Sequence, residues 1–226
     1  NFAPLLEHLC STKQIPRLLL QKLTILKLQL ADIFLQTLFS TWLGCILAKQ
    51  MALGTEQIRN TFYVGLLHDL GLLHIDPKLV SKQEDYSEQE WQIVKRHMMI
   101  SVAIAKLIHP FDQEVYLGIK EHHERCDGTG YPKELHDEQL SFSGQLIGLA
   151  DIICHIRTRQ YHNSGKSMAH IMPYIQINLH SFKFESYQAM YAVVQKSQLE
   201  IGDLLNRKDF MALPKRLILQ RVRITQ

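Results

Sequence analysis

Apolar residues recur every three or four positions through almost the whole chain, and no stretch alternates apolar with polar for long. That period belongs to helices burying one face, and it leaves little room for sheet. Residues 4–50, rich in Leu, Ile, Lys and Gln, are expected to form two or three amphipathic helices, with Pro16 marking a break. Thr55 is placed to cap a helix over 55–70 in which Ile58, Phe62, Leu66 and Leu67 face the core, ended by Gly71 and Pro77. Ser87 and Glu90 have the spacing of a capping box. Behind them Val94, Met98, Val102 and Ala105 carry one apolar stripe to Ile108, which predicts a single helix. Further helices are expected over 112–124, 141–158 and 167–199. The fold class is therefore all-α, a bundle of about eight to ten helices.

Composition narrows the function classes. Hydrophobic residues make up 46% and charged residues 21%, enough apolar material for a core and too little charge for a disordered chain. A net charge of +3 is too mild to imply nucleic acid. Basic residues do gather at the end, where Arg207, Lys208, Lys215, Arg216, Arg221 and Arg223 face only Asp209. A solvated terminal helix is the plain reading of them, and a polyanion-docking tail the sharper one. Cys10, Cys45, Cys126 and Cys154 form no CxxC pair, so neither a zinc knuckle nor a redox motif is expected. They read as reduced thiols, which points to a cytoplasmic protein. No apolar run near 18 residues stands out, so no membrane span is expected. The leucine-rich segment 17–35 is expected to pack on its own domain rather than on a second copy.

Twelve histidines are unusual, and their placement matters more than their number. His68 and Asp69 are adjacent at the end of an apolar helix. His97 follows one helix later, His122 and His123 are adjacent at another helix end, and Asp151 lies within an apolar run. A carboxylate in such a run is costly unless it is paired, hydrogen-bonded or coordinated. Neighbouring helical residues point about 100° apart and so are not expected to clamp one ion from the same face. They can serve two ions side by side, with Asp69 bridging, as in centres whose metals sit roughly 3.5–4 Å apart. Imidazole and carboxylate without thiolate favour iron, manganese or zinc over copper. Singly, each histidine is more often structural than ligating; it is the joint pattern that resists chance.

That pattern, GLLHDLG followed by HHERCDGTGYP and LADI, resembles the HD-GYP family of the HD phosphohydrolase superfamily. The resemblance covers about residues 30–195 and is strongest over 64–151. It implies an all-helical bundle with two divalent metal ions, iron or manganese foremost and zinc, nickel or magnesium as alternatives. It implies hydrolysis of cyclic di-GMP to the linear dinucleotide or GMP. By the same resemblance His68, Asp69, His97, His122, His123 and Asp151 are the metal ligands, with Asp69 and His68 catalytic. Gly130, Tyr131 and Pro132 form the loop that positions substrate and contacts diguanylate cyclase (GGDEF) domains. The domain plan that follows is an N-terminal helical segment at 1–29, the HD-GYP domain at 30–200 and a basic tail at 201–226.

The chain departs from the family at three places. An early family histidine falls on Gln36, with Asp32 one turn before it; both are additional candidates for the centre. The lysine after the HD pair is Leu72, and His74 is the nearest substitute. A second Asp after Asp151 is Cys154, and the substrate-gripping Arg falls near Gln160, so that Arg159 takes the role by a small shift and Arg157 lies close by. Three readings remain open from sequence. One is an enzyme of reduced activity. Another is a degenerate module that binds metal, cyclic di-GMP or a signalling partner without hydrolysis. The last is an HD hydrolase for another cyclic dinucleotide or nucleotide phosphate.

Overall fold

The computed structural model describes residues 15–82, 85–164 and 176–196, with the side chains of 156–164 and 194–196 outside the description. Among these residues the chain is helical without a strand. One isolated bridge, Asp127 to His136, is its only extended pairing. The helices are α1 (Arg17–Gln29), α2 (Ala31–Gln50), α3 (Thr55–Leu67), α4 (Pro77–Val80), α5 (Glu88–Lys95), α6 (His97–Ile108), α7 (Gln113–Glu121), α8 (Phe142–Ser164) and α9 (Phe184–Lys196). Short 3₁₀ turns lie at Leu70–His74, Asp137–Gln139 and Leu179–Ser181.

The organising element is α2. It packs against α1, α3, α8 and α9. Its Ile33, Phe34 and Leu38 join a core with α1, α3, α6 and α7, while Phe39, Leu43, Leu47 and Ala48 join a second core with α8 and α9. A helix buried on all sides must be apolar all round. By length and hydropathy α2 could cross a bilayer, which corrects the expectation that no such run exists. Two thirds of that window is buried inside the protein. Its buried Gln36, Thr37, Ser40 and Thr41 are turned to neighbouring helices. The proposed boundary at residue 29 falls at the one-residue break between α1 and α2. Leu19, Leu23 and Leu26 of α1 belong to the same core as Val64 and Leu67, each contributing roughly 1.5–3 kcal/mol by burial. The tail from 201 and Cys10 lie outside the described residues. Among the described residues Cys45, Cys126 and Cys154 form no disulfide.

Three local expectations change. Gly54, not Thr55, occupies the cap of α3, its N–H donating to Gln57 Oε1 at 3.1 Å. That helix ends at Leu67, and Gly71 falls inside the 3₁₀ turn. The single helix expected over 87–108 breaks at Arg96, whose N–H bonds back three residues to Ile93 at 3.1 Å. The Ser87–Glu90 capping box is present as read, with bonds of 3.3 and 2.7 Å.

Candidate metal centre

Three helix ends and the interior of α8 converge on one buried cluster. His68 and Asp69 follow the last turn of α3, His97 opens α6, His122 and His123 follow α7, and Asp151 lies within α8. All six are at most 6% exposed. Helix ends suit ligands because their carbonyls lack intrahelical partners. Each such ring uses one: His68 Nδ1 donates to Gly65 O at 2.7 Å, His97 Nδ1 to Val94 O at 2.8 Å, and His122 Nδ1 to Ile119 O at 2.8 Å. A carbonyl can only accept, so each Nδ1 carries the proton, and a neutral ring turns the lone pair of Nε2 to the centre. Nε2 of His68 and of His122 are buried without a hydrogen-bond partner.

The donors form two groups that share Asp69. Asp69, His97, His122 and His123 make one, and His68, Asp69 and Asp151 the other. Asp69 Oδ1 lies 3.5 Å from His97 Nε2 and 4.0 Å from His122 Nε2, while its Oδ2 lies 3.4 Å from His68 Nε2. His97 and His123 face each other Nε2 to Nε2 at 3.3 Å, and His68 Nε2 is 3.9 Å from Asp151 Oδ1. Ligands sharing an ion through bonds of about 2.1 Å stand roughly 3.0–4.2 Å apart, so each of these five separations fits. The donor set of imidazole and carboxylate suits a divalent first-row ion.

His122 and His123 fall in the same group, although neighbouring residues of a continuing helix would point about 100° apart. The helix stops at Glu121, and the turn brings the two rings to 3.8 Å between centroids.

The electrostatics follow from burial and from the carboxylates. Burial, then neighbouring imidazoles, hold His122 and His123 well below the ordinary histidine range. Burial also lowers His97, against the pull of Asp69. For His68 burial is outweighed by Asp69 and Asp151, which lift it to about 9. Burial alone would raise Asp151, yet His155 and His68 hold its carboxyl well below the usual range.

Backbone packing sets these positions. Gly71 has no room for a side chain: a Cβ there would stand 2.0 Å from the His97 carbonyl oxygen. Ser101 Oγ accepts from Gly71 N and donates to His68 O, both at 2.7 Å, tying the turn after Asp69 to α6. Leu72 points into the apolar core, and His74 is exposed.

The glycine–tyrosine–proline loop crosses the pocket's mouth. Tyr131 stacks on His123, centroids 4.6 Å apart, with Trp91 edge-on at 5.2 Å and Tyr86 stacked beyond Trp91 at 6.0 Å. Gly130 lies against the backbone of Glu124, where a Cβ would come within 2.4 Å, and Pro132 is exposed. Glu124, buried and unassigned from sequence, receives Lys133 N at 2.7 Å and Leu135 N at 3.0 Å on its two carboxylate oxygens. Its position beside the histidine pair was the available signal.

Gln36 reaches the centre: its Nε2 donates to Asp151 Oδ1 at 2.7 Å. Asp32, one turn earlier on α2, is half-buried. The side chain of Arg159 lies outside the described residues. His155, passed over in the sequence, has Nε2 3.2 Å from Asp151 Oδ2.

The HD domain family matches residues 10–185 of this chain. The chain belongs to the HD domain family. It has the all-α fold expected from its motifs, and HD domains bind divalent metal. This HD domain is 32% identical over 130 residues to the cyclic di-GMP phosphodiesterase PdeB of Borreliella burgdorferi, covering 56% of the chain and 34% of that protein. It is 26% identical over 170 residues to a cyclic di-GMP phosphodiesterase of Thermotoga maritima, covering 74% of the chain and 45% of that protein. It is 27% identical over 153 residues to the 3'3'-cGAMP-specific phosphodiesterase 1 of Vibrio cholerae, covering 67% of the chain and 35% of that protein. The HD domain thus spans less than half the length of each of these relatives. In fold it resembles the cyclic GMP-AMP-specific phosphodiesterase V-cGAP3 of V. cholerae, with a TM-score of 0.59 at 16% identity over 82% of this chain and 51% of that one.

Proposed function

We propose that this HD domain is the catalytic domain of a phosphodiesterase that opens a cyclic dinucleotide, cyclic di-GMP or a cyclic GMP-AMP, using two divalent ions. The observation that carries the reading is the pair of buried donor groups meeting at Asp69, with the Nε2 atoms of His68 and His122 left without a hydrogen-bond partner. Buried polar atoms without partners are rare unless something is meant to fill them. The names of the relatives supply the substrate class.

When bound, such ions supply Lewis acidity at a phosphodiester and a nucleophile at neutral pH; iron or manganese suits these donors best. The residues supply the rest. His97, His122, His123 and Asp69 would hold one ion, and His68, Asp69 and Asp151 the other. Neutral His122 and His123 keep their lone pairs available, because burial opposes their protonation. His68 must release its proton to serve as a ligand, since the two carboxylates hold it there. Tyr131, Gly130 and Pro132 form the wall against which a nucleobase would stack. Arg159 would grip a phosphate, and the exposed loop from Pro132 would meet a partner such as a diguanylate cyclase domain.

The test is turnover. Chelator-stripped protein is reloaded with Mn²⁺ or Fe²⁺ and offered cyclic di-GMP, 3'3'-cGAMP and a simple aryl phosphodiester. The reading expects a linear dinucleotide from at least one cyclic substrate and none from the Asp69→Ala variant; metal-loaded protein no faster than that variant on all three refutes it. A second reading, a module that binds without hydrolysing, is favoured by two observations. The Gln36 amide occupies Asp151 Oδ1, and Leu72 offers no ammonium. Tight binding of cyclic di-GMP without product would select it.

A further inference from the structure

The donors around Asp69 divide unevenly. One group holds three imidazoles, His97, His122 and His123, and the other holds His68 with two carboxylates. On that poorer side α2 brings up only an amide, Gln36. Its amide nitrogen faces both Asp151 Oδ1 and Nε2 of His155, each at 2.7 Å, and its Oε1 is buried with no hydrogen-bond partner.

A second imidazole nonetheless arrives there, from a different helix. His155 stands one turn after Asp151 on α8 and is 13% exposed at the side chain. Its Nε2 lies 2.7 Å from Nε2 of Gln36. The ring nitrogen has therefore come to the place that the end of side chain 36 reaches from α2. Nε2 of His155 is 3.2 Å from Asp151 Oδ2, and Nε2 of His68 is 3.9 Å from Asp151 Oδ1. The two imidazoles flank one carboxylate from its two oxygens, each within the roughly 3.0–4.2 Å of that carboxylate expected of ligands sharing an ion, while His155 itself stands just outside the two donor groups. A helix places residues four apart on one face, so Asp151 and His155 are a ready pair.

We propose that His155 is a ligand of the Asp151-side ion, supplying from α8 the imidazole that α2 lacks at Gln36. The inference rests on the reading of the centre as a divalent-metal site. It gives the two ions a comparable set of donors, and Gln36 becomes the residue that steers Asp151 and His155 together.

Chelator-stripped protein is titrated with Co²⁺, followed by metal content per chain, visible absorption and the hyperfine-shifted exchangeable imidazole N–H resonances. Wild type should take up two ions. His155→Ala should keep one and bind the other more than about a hundredfold more weakly, beyond the roughly 10–100-fold that loss of an outer partner costs, with one shifted N–H resonance missing. The double variant His155→Ala, Gln36→His should regain the second ion, because the imidazole returns from α2. Circular dichroism and a melt establish that each variant folds. Two tight ions and a full set of shifted resonances in His155→Ala overturn the assignment, as does weakened binding with the full set retained, since His155 would then act from outside the coordination shell. Wild type that takes up no cobalt refutes the metal-centre reading itself, an outcome separate from either.

Discussion

Glu124 gives the sharpest prediction that needs no substrate. Its carboxylate is fully buried and accepts one backbone N–H on each oxygen, Lys133 at 2.7 Å and Leu135 at 3.0 Å, so it anchors the loop just past Pro132. Hydrogen bonds to a charged group contribute about 1.5–3 kcal/mol each. Lys133 is exposed and Leu135 half-buried, so water reaches part of what is freed and the lower half of that range applies. Glu124→Gln turns one acceptor into a donor facing an N–H and should cost about 2 kcal/mol. Glu124→Ala removes both and should cost about 3–4 kcal/mol. At about 2–4 °C per kcal/mol for a domain of this size, the alanine variant should melt about 6–16 °C below wild type. Hydrogen exchange should accelerate first at Lys133 and Leu135. If Glu124→Ala melts within about 1 °C of wild type, the carboxylate is not the anchor and the reasoning fails.

Other outcomes follow from the same structure. Gly71→Ala places a Cβ 2.0 Å from the His97 carbonyl; it should cost about 2–3 kcal/mol and lower metal occupancy, read by melting and elemental content. Asp69→Asn removes the oxygen charge common to both donor groups and should lower metal content toward zero with little change in circular dichroism. Without metal, stability should fall as pH drops below about 6.5, because the unfolded chain then takes up protons that buried His122 and His123 refuse. Each contributes up to about 1.4 kcal/mol per pH unit. His68 runs the other way, its contribution intact below about 6.5 and lost as pH rises through about 9. Melting in chelator from pH 5 to pH 9 checks both signs. Metal affinity should likewise tighten about tenfold per pH unit up to about 9, as His68 gives up its proton, measurable by competition with a calibrated chelator.

The helical class was legible because the three-to-four spacing is local, and so was the order of the candidate donors from His68 to Asp151, since HD and HH each sit at a recognisable helix end and AD within an apolar run. The break at Arg96 was hidden because Val94 and Met98 keep helical spacing straight across it. The long apolar helix α2 escaped notice because Asp32, Gln36 and Lys49 interrupt it, though its burial makes it the axis of both cores. Least legible was the meeting of Gln36 with His155, partners 119 positions apart. Read along the chain, one looks like a loss and the other like a stray histidine; only the packing of α2 on α8 makes them neighbours.

The bend at Arg96 has a consequence for how such domains diversify. Trp91 lies on the helix before it and His97 on the helix after it, so the two are carried by different elements. Changes in pitch or length upstream of the bend can reshape the aromatic group around Tyr131, while the donor atoms downstream keep their register. The aromatic side of the centre and its donor side are thereby open to independent drift within one continuous stretch of sequence.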